Sequence, residues 1–227
     1  MYFEQLFDDK SSTYTYLIAP KNGKLAAIID PVKGHEQQYM AWLTKYNLKL
    51  GYALDTHTHA DHITALGDLR DLTGCVTIMS EHSDADCVSR RVTDDETIDL
   101  DGLIITALYT PGHTNESLSY VMDDRVFTGD TLLINGSGRT DFQNGNAYAQ
   151  YDSLFNKLLK LPDEMLVYPG HDYNGKKVST IREERLNNPR LQVANAEEYV
   201  KIMNSLNLPD PKMMDIAVPM NLACGQK

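Results

Sequence analysis

Five of the seven histidines in the chain fall in three short stretches. The first is His57-Thr-His-Ala-Asp-His62. Residues two apart in an extended segment point to the same side, so His57, His59 and Asp61 can face one cavity and His62 can join them at a turn. Neutral imidazole and carboxylate are good ligands for zinc, iron or manganese. Thr110-Pro-Gly-His113 and Tyr168-Pro-Gly-His171 each present a histidine from a Pro-Gly bend, a pair of residues that turns the chain sharply. Phe127-Thr-Gly-Asp130 adds a carboxylate. A lone loop histidine would call for no explanation. This ordered set implies a metalloenzyme whose site is built from His57, His59, Asp61, His62, His113, Asp130 and His171.

The elements around these motifs explain how they could meet. The first third of the chain reads strand, strand, strand, helix, strand. Tyr14–Ala19 and Leu25–Asp30 are rich in strand formers, and Gln37–Tyr46 has helical spacing. Leu48–Asp55 is a strand running straight into the first motif, with a helix from Ile63 to Leu72. Further strands are expected around 76–79, 103–109, 117–122, 125–128 and 165–168. Helices are expected at 146–161, 177–186 and 194–206. The stretch 207–227, with Pro209, Pro211 and Pro219, is expected to be a short tail on the surface. Each polar cluster thus follows a strand, in a loop held by a rigid scaffold. The pattern implies mixed sheets sandwiched by helices in one α/β domain spanning 1–227.

Composition narrows the chemistry further. The formal charge is -11, which argues against a nucleic-acid partner. No apolar run approaches a membrane span, so no membrane association is expected. The opening residues lack the features of a secretory signal or an Arg-rich presequence. The expected location is cytoplasmic, with the mitochondrial matrix open if a presequence was trimmed. Cys75, Cys87 and Cys224 are widely spaced with no CxxC. That pattern suits a reducing compartment and gives no disulfide framework. At least two of the three are expected to be plain buried thiols, Cys224 among them. His35 and His82 stand alone and read as surface residues.

The order HxHxDH, His, Asp, His resembles the metallo-β-lactamase superfamily, which implies a four-layer αββα sandwich. In its two-metal members His57, His59 and His113 would hold one metal and Asp61, His62 and His171 the other, with Asp130 between. Gly138-Arg-Thr-Asp-Phe-Gln143, Tyr168-Pro-Gly-His-Asp-Tyr-Asn-Gly175, Ile181 to Arg190, Leu206-Asn-Leu-Pro-Asp-Pro and Ala217-Val-Pro-Met-Asn-Leu-Ala-Cys-Gly225 look like the persulfide dioxygenases. Their nearest relatives are glyoxalase II hydrolases, which carry a larger helical C-terminal domain.

The resemblance implies one Fe(2+) per chain, held by His57, His113 and Asp130, an arrangement that suits O2 chemistry. His59, Asp61, His62 and His171 would then surround the metal as hydrogen-bond partners, with Asp61 and His59 in proton movement. The implied partners are glutathione persulfide and O2, with a homodimer as the candidate assembly. Arg139 and Tyr173 are the candidates for gripping the substrate, because an arginine fork recognises carboxylates. The competing role for Arg139 is a structural pair with Asp141. Arg182, Arg185 and Arg190 read as a solvated helix face. Two rival functions follow: a dinuclear zinc thioester hydrolase, separable by its metal and its indifference to O2, and a non-catalytic binding module, for which a lost ligand would be the sign. None is lost.

Overall fold

A computed structural model of the protein describes residues 1–211 and 213–226. Among them, twelve strands form two six-stranded mixed sheets. The first sheet runs in chain order: β1 (Tyr2–Asp8), β2 (Thr13–Ala19), β3 (Leu25–Ile29), β4 (Lys49–Leu54), β5 (Val76–Ser80) and β6 (Arg90–Val92). The second contains β7 (Thr97–Leu100), β8 (Leu103–Tyr109), β9 (Leu118–Val121), β10 (Arg125–Gly129), β11 (Leu166–Pro169) and β12 (Ser179–Thr180).

Alternation along the strands creates the layers. On β2, Tyr14, Tyr16 and Ile18 enter the space between the sheets, where they meet Tyr120, Phe127 and Tyr168. Leu17 and Ala19 face the other way, onto α1 (Glu36–Lys45) and α2 (Leu66–Thr73) through Tyr39, Trp42, Leu43, Leu66 and Leu69. On the second sheet Val126 and Val167 point outward. They meet Leu154 and Leu158 beyond α3 (Ala147–Asp152), Ile181 of α4 (Ile181–Asn187), and Tyr199 and Met203 of α5 (Ala196–Asn204). Three apolar interfaces therefore separate four layers, helix–sheet–sheet–helix. Removing a ring such as Phe127 from the middle interface would cost about 3–5 kcal/mol, a large part of the roughly 5–15 kcal/mol by which domains are stable.

Strand direction places the motifs. β3 and β4 run parallel, as do β10 and β11, so Asp30, the His57 loop, Asp130 and His171 leave like-directed strand ends. Backbone ties then join the two sheets at that edge: Leu118 N–H donates to Thr56 O (2.8 Å) and Tyr14 N–H to Gly170 O (2.8 Å). The buried Tyr16 hydroxyl donates to Pro169 O at 2.6 Å.

Four local expectations need correction. The helix expected over 146–161 is α only to Asp152, then widens into a π turn (Ser153–Lys157) and tightens into a 3-10 turn (Leu158–Lys160). The change begins where the Ser153 hydroxyl donates to Pro111 O. The helix expected from Lys177 begins only at Ile181, because the Thr180 side chain accepts from Glu183 N–H and caps it there. The proline-bearing tail contains a further helix, α6 (Met214–Asn221), with Pro219 in its last turn and Ala217 and Asn221 buried. Finally, Cys87 and Cys224 form a disulfide, with Cα atoms 5.9 Å apart across 137 residues of sequence, and only Cys75 is a free, buried thiol among the described residues. Linear spacing carries no trace of such a pairing, since bridging depends on proximity in space.

Candidate metal centre

The HxHxDH loop is held from beneath by Asp30, a residue absent from the sequence-based list. It sits at the end of β3 with φ +50°, a left-handed conformation that aspartate tolerates better than most residues. Its carboxylate accepts from Thr56 N–H (2.7 Å), the Thr56 hydroxyl (3.0 Å) and His59 Nε2 (3.1 Å). Because the single hydroxyl proton of Thr56 goes to Asp30, its oxygen accepts from His57 Nδ1–H at 3.0 Å. That sets the tautomer of His57 and leaves the Nε2 lone pair free. Burial, then the neighbouring His59 and His113, hold the His57 imidazole neutral, well below its usual range. For His59 burial acts in the same sense, but Asp30 outweighs it and pushes the imidazole up to about 9. Asp55, which precedes the loop and is fully buried, is raised by desolvation to about 7.

His113 leaves β8 through the Pro111-Gly112 bend, and its Nδ1–H donates to the carbonyl of Arg139 (2.7 Å). Its Nε2 then lies 3.6 Å from Asp130 Oδ2. The other oxygen of Asp130 accepts from His171 Nδ1 at 2.7 Å, and His171 Nε2 reaches Asp61 Oδ2 at 2.9 Å. Burial opposes charge on all three groups, but the carboxylates hold His171 well above its usual range and His171 in turn holds both acids well below theirs. This crowding requires glycine at one position in particular. A Cβ on Gly170 would stand 2.7 Å from Asp130 Oδ1.

The ligand atoms of His57, His113 and Asp130 lie within 4.8 Å of one another, and those of His59, Asp61 and His62 form a second such group. His171 sits between Asp61 and Asp130 and belongs to neither trio. The residues fit a metal: His59 Nδ1 and His62 Nε2 are buried with no hydrogen-bond partner, and an orphaned polar nitrogen in a buried site calls for an ion or another partner. Imidazoles fixed through one nitrogen with the other free are the usual state of metal-ligating histidines.

Beside this cluster opens a cavity of about 460 Å³, lined by His113, Asp130, His171, Tyr173, Arg139 and Arg190 among others. That volume lies within the range of small-molecule sites. Tyr173 is 70 % exposed and its ring lies parallel to that of His171, centroids 6.1 Å apart. Arg139 reaches the cavity with its fork closed on Asp141 (2.7 and 2.8 Å) and a third donor on Pro209 O (2.7 Å), the competing role named above. Arg182 and Arg185 pair with Asp163 and Glu164 on the surface. Arg190 does not belong with them. It has no acidic partner among the described residues, contacts Met203 Sδ, and lines the cavity, where burial weakens its hold on its proton. Outside the site, His35 pairs with Asp8 and His82 lies beside Glu81.

Comparison with known proteins gives the family of the chain. The family model of the metallo-beta-lactamase superfamily matches residues 8–171. The chain is 44% identical over 224 residues to the Bos taurus protein named persulfide dioxygenase ETHE1, mitochondrial, covering 97% of this chain and 87% of that one. The Homo sapiens protein of the same name is 43% identical over the same shares. Among solved structures, ETHE1 from Myxococcus xanthus superposes with a TM-score of 0.97 at 50% identity, covering 100% of both chains.

Proposed function

The chain belongs to the metallo-β-lactamase superfamily and, within it, to the persulfide dioxygenases, and from that membership we propose that it oxidises glutathione persulfide on a single ferrous ion held by His57, His113 and Asp130. The observation that carries the reading is the convergence of His57, His113 and Asp130, the last two on the wall of a cavity large enough for a small anionic substrate. Two histidines and a carboxylate with open positions are the ligand set of non-haem ferrous oxygenases. The overall reaction balances as RSSH + O2 + H2O → RSH + SO3²⁻ + 2 H⁺. Bound there, the ion would supply the open positions and electrons that let O2 react with a closed-shell sulfur.

The protein's own residues do the rest. Thr56 and the carbonyl of Arg139 aim His57 and His113, and His171 occupies one oxygen of Asp130 so that the other faces the centre. Arg190 is the first contact for a substrate carboxylate. Arg139 becomes a second by exchanging its Asp141 partner, and Tyr173 covers the opening. Leu133, Ile134, Leu208 and Pro209 give the cavity an apolar wall. Two protons must leave. Asp61 has 32 % of its side chain open to solvent and touches His62 and His171, so it passes protons outward, with His59, kept charged by Asp30, as the second proposed group in proton movement through its Nδ1–H. A homodimer remains the proposed assembly and the cytoplasm the proposed compartment. The mitochondrial location belongs to the mammalian relatives' name.

A second reading has one observation in its favour. The unpartnered nitrogens of His59 and His62 beside Asp61 would suit a second metal and hydrolysis of a glutathione thioester by a metal-activated water. Metal analysis of protein purified without added metal separates the two, together with O2 uptake and sulfite release on glutathione persulfide. About one iron per chain and equal O2 consumed and sulfite formed are expected. Two zinc per chain with thioester hydrolysis and no O2 uptake would replace the dioxygenase by the hydrolase.

A further inference from the structure

The stretch 213–226 packs against the ligand loop through polar contacts at His59, His62 and Thr64. Asn221 is buried, and its Nδ2 donates to the carbonyls of both His59 (2.8 Å) and His62 (2.9 Å) while its Oδ1 accepts from Thr64 N–H (2.9 Å). One side chain thus spans the turn that presents Asp61. The next residues continue the contact. Gly67 N–H donates to Cys224 O at 2.9 Å and Lys33 Nζ to Gly225 O at 2.8 Å. A Cβ on Gly225 would stand 2.0 Å from Thr64 O, so the two segments touch backbone to backbone. The Cys87–Cys224 bond then fastens this stretch to the connection between β5 and β6. Cys224 is buried, while Cys87 is partly exposed.

We propose that α6 and the turn after it are a strap that positions the metal-ligating loop through Asn221, and that low-molecular-weight thiols open the disulfide fastening it. The proposal rests on this loop holding a metal, and not on which reaction the metal serves. Without the fastening, a short helix carrying a proline must hold the loop by its own contacts. In the opening step a thiolate attacks the sulfur of Cys87, the less buried partner, and the Cys224 sulfur leaves as a thiolate that takes up the proton. A second thiol then attacks the mixed bond, releasing the small disulfide and the Cys87 thiol. The proposed dioxygenase reaction itself releases such a thiol, so turnover would feed the opening.

The test uses the full-length, metal-loaded protein. It measures metal loss to a chelator, the visible spectrum of the cobalt(II)-substituted form, and hydrogen exchange at the Thr64 and Gly67 amides. Millimolar glutathione under anaerobic conditions is expected to raise the free-thiol count from one to three, Cys75 plus the released pair. The opened protein, and Cys87→Ser without any reductant, should lose metal roughly 10-fold faster or more, in the range of changes around metal ligands. The Thr64 and Gly67 amides should exchange faster in both, with β10 amides unchanged. Asn221→Asp keeps the acceptor for Thr64 but loses both donations to the loop. It should shift the cobalt spectrum and lower kcat more than it raises KM. If Cys87→Ser does not fold, reduced wild type decides alone. An intact bond after glutathione treatment, or unchanged metal lifetime and exchange after opening, would overturn the role of the disulfide. An unchanged cobalt spectrum and metal lifetime in Asn221→Asp would overturn the role of Asn221. Loss of O2 uptake with these readouts intact would count against the dioxygenase reading instead.

Discussion

At the scale of single residues, the site separates groups that would touch the metal from groups that aim them. His57→Ala, His113→Ala and Asp130→Ala each remove one of three proposed ligands, and each is expected to abolish iron binding. His59→Ala and His171→Ala should keep substantial iron and lose roughly 10- to 100-fold in activity, the usual size for partners of ligands. Elemental analysis of the five proteins checks this, and His59→Ala losing iron as fully as His57→Ala would break the assignment. The two arginines of the cavity make a second contrast. Arg190 has no acidic partner among the described residues, whereas the Arg139 fork is closed on Asp141. A lost hydrogen bond to a charged group costs about 1.5–3 kcal/mol, so Arg190→Ala should raise KM for glutathione persulfide roughly 10- to 150-fold. Arg139→Ala should raise it less and leave iron in place, because His113 is held by the Arg139 carbonyl rather than its side chain. Steady-state O2 consumption separates the two. An unchanged KM in Arg190→Ala would take Arg190 out of the site.

At the scale of elements, α5 shows how a helix far from the ligands still shapes their surroundings. It is capped by Asn195, whose side chain accepts from Glu198 N–H, and it buries Tyr199, whose hydroxyl donates to Gln150 Oε1 (2.8 Å). Gln150 in turn donates to Gly138 O, beside His113. Desolvation pushes the phenol of Tyr199 up to about 12, as it does that of Tyr39 under the first sheet. Their folded values lie above the unfolded one, near 10. The stabilisation is therefore complete below about pH 10 and lost as pH rises toward 12. Unfolding in denaturant across that window should show falling stability in the native protein and a shallower fall in Tyr199→Phe; identical slopes would show that Tyr199 ionises freely in the folded state.

How much of this was legible in the sequence follows from what each element depends on. The strands and the motifs behind them could be read because alternation and Pro-Gly bends are local signals. So could the surface places of His35 and His82. Asp30 and Asn221 could not, since an acid ending a strand and an amide after a proline look the same whether or not a loop folds onto them. Arg190 was grouped with Arg182 and Arg185 by spacing, but it lies beyond the end of α4, where the chain has turned toward the cavity. The Cys87–Cys224 pair, the late start of α4 and the helix around Pro219 were missed for the same reason: each depends on partners distant along the chain or on a single capping side chain.

At the scale of the whole molecule, the metal would act as a joint between the sheets, because His57 comes from the first sheet and His113 and Asp130 from the second. An ion that binds only the folded chain stabilises it by about 2.7 kcal/mol at a hundredfold excess over Kd. For a chain of this size each kcal/mol shifts Tm by about 2–4 °C. Chelation should thus lower Tm by roughly 5–10 °C, measurable by calorimetry with and without chelator, and an unchanged Tm would mean that the ion does not bridge the layers. The same geometry bears on synthesis. As the chain is made, the histidine loop emerges first, followed by His113, Asp130 and His171, and the Asn221 that grips the loop emerges later still. A nascent chain therefore displays imidazoles and a carboxylate before the site that selects among metals exists. An ion captured earlier, such as zinc on the His57–His62 run, would be held by a ligand set different from the His57, His113 and Asp130 trio that the folded chain gathers.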